Sequence, residues 1–417
     1  MASSLLSILL LLMVGVLVAR ISAGRLARWA VPAIVLELLV GFVLGNTVLP
    51  FSRIQPLSGL MELGVLSLFF MVGLEVSEGL NNSRGLAVLR TVLLSALTPL
   101  LAWWPLQQGF GFPPGTTMLC IAVLSATGTG VTLRTLAQAG SINSPSGRLL
   151  VGVSVLDDLP AIALLSLAMI LGIAPQSALP AANPLAAPLV LPPAIGLPVG
   201  LALAGGSLMA CRLWRRQAGP WQAGPLGVLL LLIGCSWLGE VVGFTSLLGA
   251  LWAGVLLSRL APMVSTNPAT TELRGNLALI WEVFLPLYFI GVGMRIDAST
   301  LLQPQAWWLA LLLIAVGVAC KLLCGLGITR RDQAAGIDRW VVIFGLIPRG
   351  LPGLVFASTA LEAGIISKQL FSSLVLMVSA TTVLGLLLLA RRLQTIKAMA
   401  STSQASEPFQ LQATQQV

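Results

Sequence analysis

The chain contains no histidine in its 417 residues, and only 9% of them are charged. Without imidazole, a histidine general base, a histidine-ligated metal and a histidine pH switch are all excluded. Any response to pH near neutrality must come from shifted carboxylates or a shifted lysine. A soluble domain carries about 25% charged residues, so the shortage of charge excludes that class. The five cysteines, at 120, 211, 235, 320 and 324, are too scattered for a disulfide framework. Cys320 and Cys324 share a helix face, but two thiols without histidine or further cysteine make no convincing metal site. They read as small apolar packing residues. With no metal triad and no nucleophile beside a histidine, neither an enzyme nor a cofactor is expected.

What fills the chain is apolar: 57% hydrophobic residues and a mean hydropathy of +0.97. This is the composition of an all-α polytopic membrane protein. The net charge of +9 would suit nucleic acid, but the basic residues lie in short clusters between apolar runs, where they act as topology signals. No nucleic-acid partner is expected; the lipid bilayer is.

Hydropathy gives thirteen spans, at about 4–20, 29–47, 59–75, 86–108, 114–137, 147–173, 188–211, 222–239, 243–260, 276–294, 305–328, 340–361 and 369–392. Of the 23 Lys and Arg, Lys321 and Arg349 fall deep within spans, and Arg53, Arg295 and Lys368 lie on one side. The remaining 18 lie on the other, after odd-numbered spans and at the C-terminal flank. This asymmetry places the N-terminus outside and the C-terminus in the cytoplasm, and requires an odd number of spans. Span 1 has no basic residue before it and Arg20, Arg25 and Arg28 after it, the reverse of a signal peptide, so it reads as an uncleaved anchor. Residues 174–193 carry six prolines and form an external connection between spans 6 and 7. Residues 398–417 are polar and rich in Gln and Ser, and read as a disordered cytoplasmic tail.

Asp157 and Asp158 stand together in the middle of span 6, LLVGVSVLDDLPAIALLSLAMILGI. One ionised carboxylate at mid-bilayer costs roughly 2.5–3.5 kcal/mol on insertion scales. Two in succession need a partner charge, a bound cation, a shared proton or a water-filled cavity. Pro160 follows closely and weakens the helix where the charges sit. The combination points to an ion or proton pathway.

Two other spans are poor helices at their centres. Span 5 contains Ser125-Ala-Thr-Gly-Thr-Gly130 and span 12 contains Gly345-Leu-Ile-Pro-Arg-Gly-Leu-Pro-Gly353. They are seven spans apart, so they run in opposite directions, as an inverted-topology repeat requires. Spans 1–6 would match spans 8–13, with span 7 as linker. Paired interrupted helices at corresponding positions are a pointer to a transporter's binding site.

These residues carry a family likeness. The chain resembles the sodium/proton antiporters of the monovalent cation:proton antiporter-2 branch, the Kef/NapA-like group, over nearly all of residues 29–390. The match includes Glu37-Leu-Leu-Val-Gly-Phe-Val-Leu-Gly45, Glu62-Leu-Gly with Gly73-Leu-Glu75, and the Thr127–Thr129 break. It continues through Leu248-Gly-Ala-Leu-Trp-Ala-Gly254, Pro286-Leu-Tyr-Phe-Ile-Gly-Val-Gly293, Lys321 and Pro348-Arg-Gly350. Their order and spacing, more than any one piece, make the resemblance.

The resemblance implies about 13 transmembrane helices, with the two broken helices crossing at their unwound centres, and a homodimer. A dimerisation scaffold would take residues 1–83 and 222–302, and a moving core 84–173 and 303–397. Residues 174–221 would form the Pro-rich loop and linker helix. The core would carry the ion by an elevator-like shift, in what is expected to be a prokaryotic cell (inner) membrane.

Asp158 is the expected ion- and proton-binding carboxylate, because hard oxygen ligands suit Na⁺ or Li⁺. Ser154 lies one helical turn earlier on the same face, and Thr127 and Thr129, with freed carbonyls of the break, can add oxygens. Gly128 and Gly130 permit that break. One site with two exclusive occupants, H⁺ and Na⁺, gives coupled exchange. Asp157 points about 100° away, and the resemblance implies that it pairs with Lys321 when the site is empty and that exchange is electrogenic. Snorkelling of Lys321 to the interface is the alternative reading. Arg349 and Pro348 are expected to support the second break, Arg349 by bonding freed carbonyls. Glu37 and Glu75 read as structural. Two other functions compete: a Kef-like K⁺/H⁺ antiporter, and a cation-coupled organic anion symporter on a similar fold.

Overall fold

The computed structural model describes residues 2–26, 31–79, 85–172, 193–217, 224–242, 244–260 and 282–414. The side chains of Glu75, Thr129, Ser154 and 401–414 lie outside that description, as does nearly all of the proline-rich connection.

The described residues form helices joined by turns and short irregular stretches, and every predicted span has its helix. In chain order these are α1 (Ala2–Leu26), α2 (Ala33–Thr47), α3 (Ser58–Gly79) and α4 (Gly85–Leu97). Then come α5 (Pro114–Ser125), α6 (Thr129–Gln138), α7 (Pro145–Gly172) and α8 (Pro193–Gln217). The second half holds α9 (Pro225–Val241), α10 (Ser246–Leu260) and α11 (Glu282–Met294). It goes on with α12 (Ala298–Leu301), α13 (Pro304–Cys324), α14 (Arg330–Ala334), α15 (Arg339–Leu346), α16 (Gly350–Glu362) and α17 (Lys368–Thr414). Spans 5 and 12 are each split in two, into α5 and α6 and into α15 and α16. Helices α12 and α14 are short connections. Among the described residues, eight spans are long and apolar enough to cross a membrane, and α2, α9, α10 and α11 are shorter apolar helices.

Local chemistry sets many of the helix ends. Proline at the first turn opens α5, α9 and α13, where its missing N–H would have no helical partner. Asp338 caps α15 by accepting from Val341 N at 3.0 Å, and Thr329 with Asp332 forms a capping box on α14. Helix α7 stays continuous through Pro160; the proline removes one N–H, leaving the Leu156 carbonyl without its usual donor.

Two sets of contacts organise the bundle. In one, α1 packs on α2, and α10 packs on α3, α8 and α9. Glycines let these backbones touch, with Gly73 of α3 against Leu251 of α10 and Gly41 of α2 against Ile290 of α11. In the other, α7 packs on α4 and α5, α16 on α5, and α17 on α13, α15 and α16. Contacts of α7 with α3 and α10 join the sets. Helix α5 is buried from Gly115 to Ser125, the mark of a helix at the centre. Helix α1 turns Leu6, Leu10 and Leu17 outward, as a lipid-facing helix does.

Helix α17 is described through Thr414, across the polar segment expected to be a tail.

Candidate functional site

The two breaks meet. Between α5 and α6 the chain leaves helical geometry at Ala126, and between α15 and α16 it does so at Pro348. Gly128 N donates to the Pro348 carbonyl at 2.6 Å, tying one break to the other. A Cβ on Gly128 would lie 2.7 Å from both Cα and N of Gly350, so the crossing needs glycine on this strand. Gly350 itself has φ +47°, in the left-handed region that glycine adopts without penalty. Side chains satisfy the backbone groups that the breaks release: Thr132 Oγ1 donates to the Gly345 carbonyl at 2.8 Å, and Gly350 N donates to Thr382 Oγ1 at 3.1 Å. Gly130 takes no part in the contact; it lies in the first turn of α6 with open space where a Cβ would stand.

Helix α7 carries the aspartate pair past this crossing. Asp157 is fully buried and Asp158 is 4% exposed. Thr127, on the α5–α6 break, donates its hydroxyl proton to Asp157 Oδ2. From the other side Lys321 of α13 comes within 3.8 Å of the same oxygen, with both side chains fully buried. Lys321 therefore does not snorkel. It extends into the protein and meets Asp157 across the Thr127 hydroxyl, to which it donates at 2.8 Å. Its other two N–H bonds go to the Ser125 carbonyl at 3.0 Å and to Ser95 Oγ of α4. Desolvating an ammonium costs several kcal/mol. Three charge-assisted hydrogen bonds at roughly 1.5–3 kcal/mol each offset that cost.

Arg349 is also fully buried, but its bond differs from the expected one. Nη2 donates at 2.8 Å to the carbonyl of Gly317, inside α13, and not to a carbonyl freed by the break. Gly317 has no side chain, and that leaves room for the guanidinium: a Cβ there would sit 3.0 Å from Nη2. Lys321 and Arg349 thus put two cations beside α13, with Asp157 as the carboxylate facing the first.

Of the residues singled out by sequence, the structure brings together Asp157, Thr127, Lys321, Gly128, Pro348 and Arg349 around the crossing. Asp158 follows on the next position of α7, about 100° round the helix. The Ser154 and Thr129 side chains lie outside the described residues. The Thr127 hydroxyl, expected as an ion ligand, lies between Asp157 and Lys321. Glu37 is buried in α2, apart from the crossing. Ser95, Thr132, Thr382 and Gly317 were not anticipated. The only trace of Ser95 in the sequence is a hydroxyl within an apolar run. Cys320 and Cys324 are free and buried, with their Sγ atoms bonded to the Thr98 and Cys320 carbonyls, and no cluster of three potential metal ligands occurs among the described residues.

Comparison with known proteins places this geometry in a family. The model of the family described as "sodium/hydrogen exchanger, transmembrane" matches residues 8–391, so the chain belongs to that family. It is 25% identical over 366 residues to the Na⁺/H⁺-K⁺ antiporter GerN of Bacillus cereus, covering 87% of this chain and 90% of that protein. It is 26% identical over 365 residues to a Na⁺/H⁺ antiporter of Enterococcus hirae, covering 87% and 92%. The sodium proton antiporter MjNhaP1 of Methanocaldococcus jannaschii has the same fold, with a TM-score of 0.63, 17% identity, and coverage of 93% and 97%. The protein is thus an integral membrane monovalent cation/proton antiporter, a transporter and not an enzyme.

Proposed function

We propose, on the premise of that membership, that the protein exchanges Na⁺ or Li⁺ for H⁺ electrogenically, with H⁺ and Na⁺ competing for Asp158. The observation that carries this reading is the pair of buried carboxylates on α7 beside two crossed helix breaks, with an internal cation facing one of them. Asp158 takes either a proton or a cation, and both forms are neutral enough to cross; the bare anion is the costly state. Asp157 is compensated by Lys321 when no cation is bound. Arrival of Na⁺ weakens that pairing, and the second proton leaves from the Asp157–Lys321 pair, so two protons move per Na⁺.

Movement follows an elevator scheme. Helices α4–α7 and α13–α17 form the core that carries the site, and α1–α3 with α9–α12 form a scaffold that also holds a second copy of the chain. The N-terminus lies outside and the C-terminus in the cytoplasm of a prokaryotic inner membrane. The grouping of helix contacts supports this division, and the asymmetry of basic residues supports the orientation.

The test is internal pH in proteoliposomes during pulses of Na⁺, Li⁺ and K⁺, with wild type beside Asp158→Asn. Na⁺- or Li⁺-driven proton movement that disappears in Asp158→Asn is the expected result. Full exchange by Asp158→Asn would overturn the site. A response to K⁺ alone would replace the reading with K⁺/H⁺ exchange, and silence toward all three cations would turn it toward symport.

A further inference from the structure

Lys321 is held in an unusual way for a lysine facing a carboxylate. An ammonium has three N–H donors, and all three are engaged: by Ser95 Oγ, by the Ser125 carbonyl and by Thr127 Oγ1. None goes to Asp157, whose Oδ2 stands 3.8 Å from Nζ, beyond hydrogen-bond reach. Asp157 Oδ1 has no hydrogen-bond partner. The pair is therefore separated, with the Thr127 hydroxyl between the two charges, although nothing in the carboxylate forbids a direct contact.

Ser95 is the one of these three acceptors that comes from outside the helix break. It is fully buried on α4. Its neighbours on that stretch, Thr91 and Thr98, turn their hydroxyls back onto carbonyls of their own chain at Ala87 and Leu94. The Ser95 hydroxyl instead meets Lys321 of α13.

We propose that Ser95 is a positioning residue of the ion site: its hydroxyl holds the Lys321 ammonium back from Asp157, and so sets how readily a cation displaces the lysine. The inference rests on the proposed exchange at Asp158 and Asp157. Without the Ser95 oxygen, one N–H of a fully buried ammonium loses its acceptor, and leaving it unsatisfied is expensive. The nearest charged acceptor is Asp157. The lysine closes the 3.8 Å gap and becomes directly bonded to the carboxylate. A cation entering the site must then break a direct charged hydrogen bond that it does not meet in the wild type.

The measurement is Na⁺-driven proton release from proteoliposomes at fixed pH over a range of Na⁺, for wild type, Ser95→Ala, Ser95→Thr and Asp158→Asn. Ser95→Ala is expected to raise KM for Na⁺ roughly tenfold, the scale of one charge-assisted hydrogen bond, while the maximal rate falls less than threefold. Ser95→Thr keeps the hydroxyl and restores KM to within about threefold of wild type. A lower maximal rate in Ser95→Ala at unchanged KM is the signature of a packing role and would overturn the proposal, as would a fall in KM. Should Ser95→Ala not fold, Ser95→Cys replaces it, since a thiol is a weak acceptor, and the same rise in KM is required. Asp158→Asn separates the two levels: exchange by that variant refutes the site itself, whereas a silent Asp158→Asn beside an unmoved KM in Ser95→Ala refutes only the role of Ser95.

Discussion

Gly128 and Gly350 face each other across the two helix breaks so closely that a methyl group on either would overlap the other's backbone. The contact is backbone on backbone, so no flexible side chain can yield. Gly128→Ala is therefore expected to cost at least the roughly 1–3 kcal/mol of an overpacked core. It should also lose most exchange activity, because the Gly128–Pro348 bond would be pushed open. Gly130→Ala is the contrasting case. No more distant part of the chain comes within 4 Å of where its Cβ would stand, and alanine in a helix gains up to about 1 kcal/mol over glycine. Thermal melting of the two purified variants should move in opposite directions.

Asp157→Asn keeps the size and one acceptor oxygen of the side chain. Thr127 can still donate to it, and Lys321 retains its three hydrogen bonds. The variant should fold, and its deficit should appear in coupling. The expected outcome is exchange that is weaker or no longer generates a membrane potential, read with a potential-sensitive dye during Na⁺ pulses. A full wild-type potential would remove Asp157 from the proton count.

The fold was legible because a bilayer imposes a coarse code. Each span must be long, apolar and helical, and Lys and Arg mark one side, so thirteen spans could be placed, with helix ends such as that of α17 left less well marked. The breaks were legible because Gly and Pro cluster where few helices tolerate them. The fine structure of the site was not. That the Thr127 hydroxyl bridges Asp157 and Lys321 is a matter of side-chain placement that no spacing in the sequence reveals. The partner of Arg349 is a backbone carbonyl, which has no sequence signature. Ser95 is 226 residues from Lys321 along the chain, and nothing in an apolar run announces which serine turns toward a distant lysine.

Asp338 links chain segments at one end of the bundle and gives a pH dependence of known sign. It accepts from Val341 N at 3.0 Å and from Arg392 Nη2 at 2.7 Å, while its own N–H donates to Ser146 Oγ. Burial pushes its carboxyl pKa up, but the bonds from Arg392 and Val341 outweigh burial and hold it below the ordinary 3.8. A carboxyl lowered on folding contributes stability that is complete above the unfolded value, and loses it as pH falls through the folded value. Asp338→Asn should therefore melt below wild type at pH 7, by the equivalent of about 1 kcal/mol for a weakened cap. The gap should close only as the pH drops beneath about 3.8. A gap that closes between pH 5 and 7 would mean that some other group carries the effect.

Arg295, next to the end of α11, separates two kinds of electrostatic contact in a single side chain. Nη2 lies 2.6 Å from Glu362 Oε1, but the Glu362 side chain is 56% exposed, and a pair so open to water contributes about 0–1 kcal/mol. Nη1 donates at 2.9 Å to Ser358, which is 1% exposed, and the guanidinium lies 4.1 Å from the centre of the Phe51 ring. The buried hydrogen bond and the ring contact together outweigh the ion pair, at about 1 kcal/mol or more each. Glu362→Gln should thus lower the melting temperature only slightly, and 1 M salt should erase the difference. Arg295→Ala should lower it several times more, and salt should leave that loss in place. Arg295→Lys should resemble Arg295→Ala more than wild type, because a lysine keeps the charge but not the planar fork that reaches serine, glutamate and ring at once. Equal losses in Glu362→Gln and Arg295→Ala would show that the exposed ion pair governs after all.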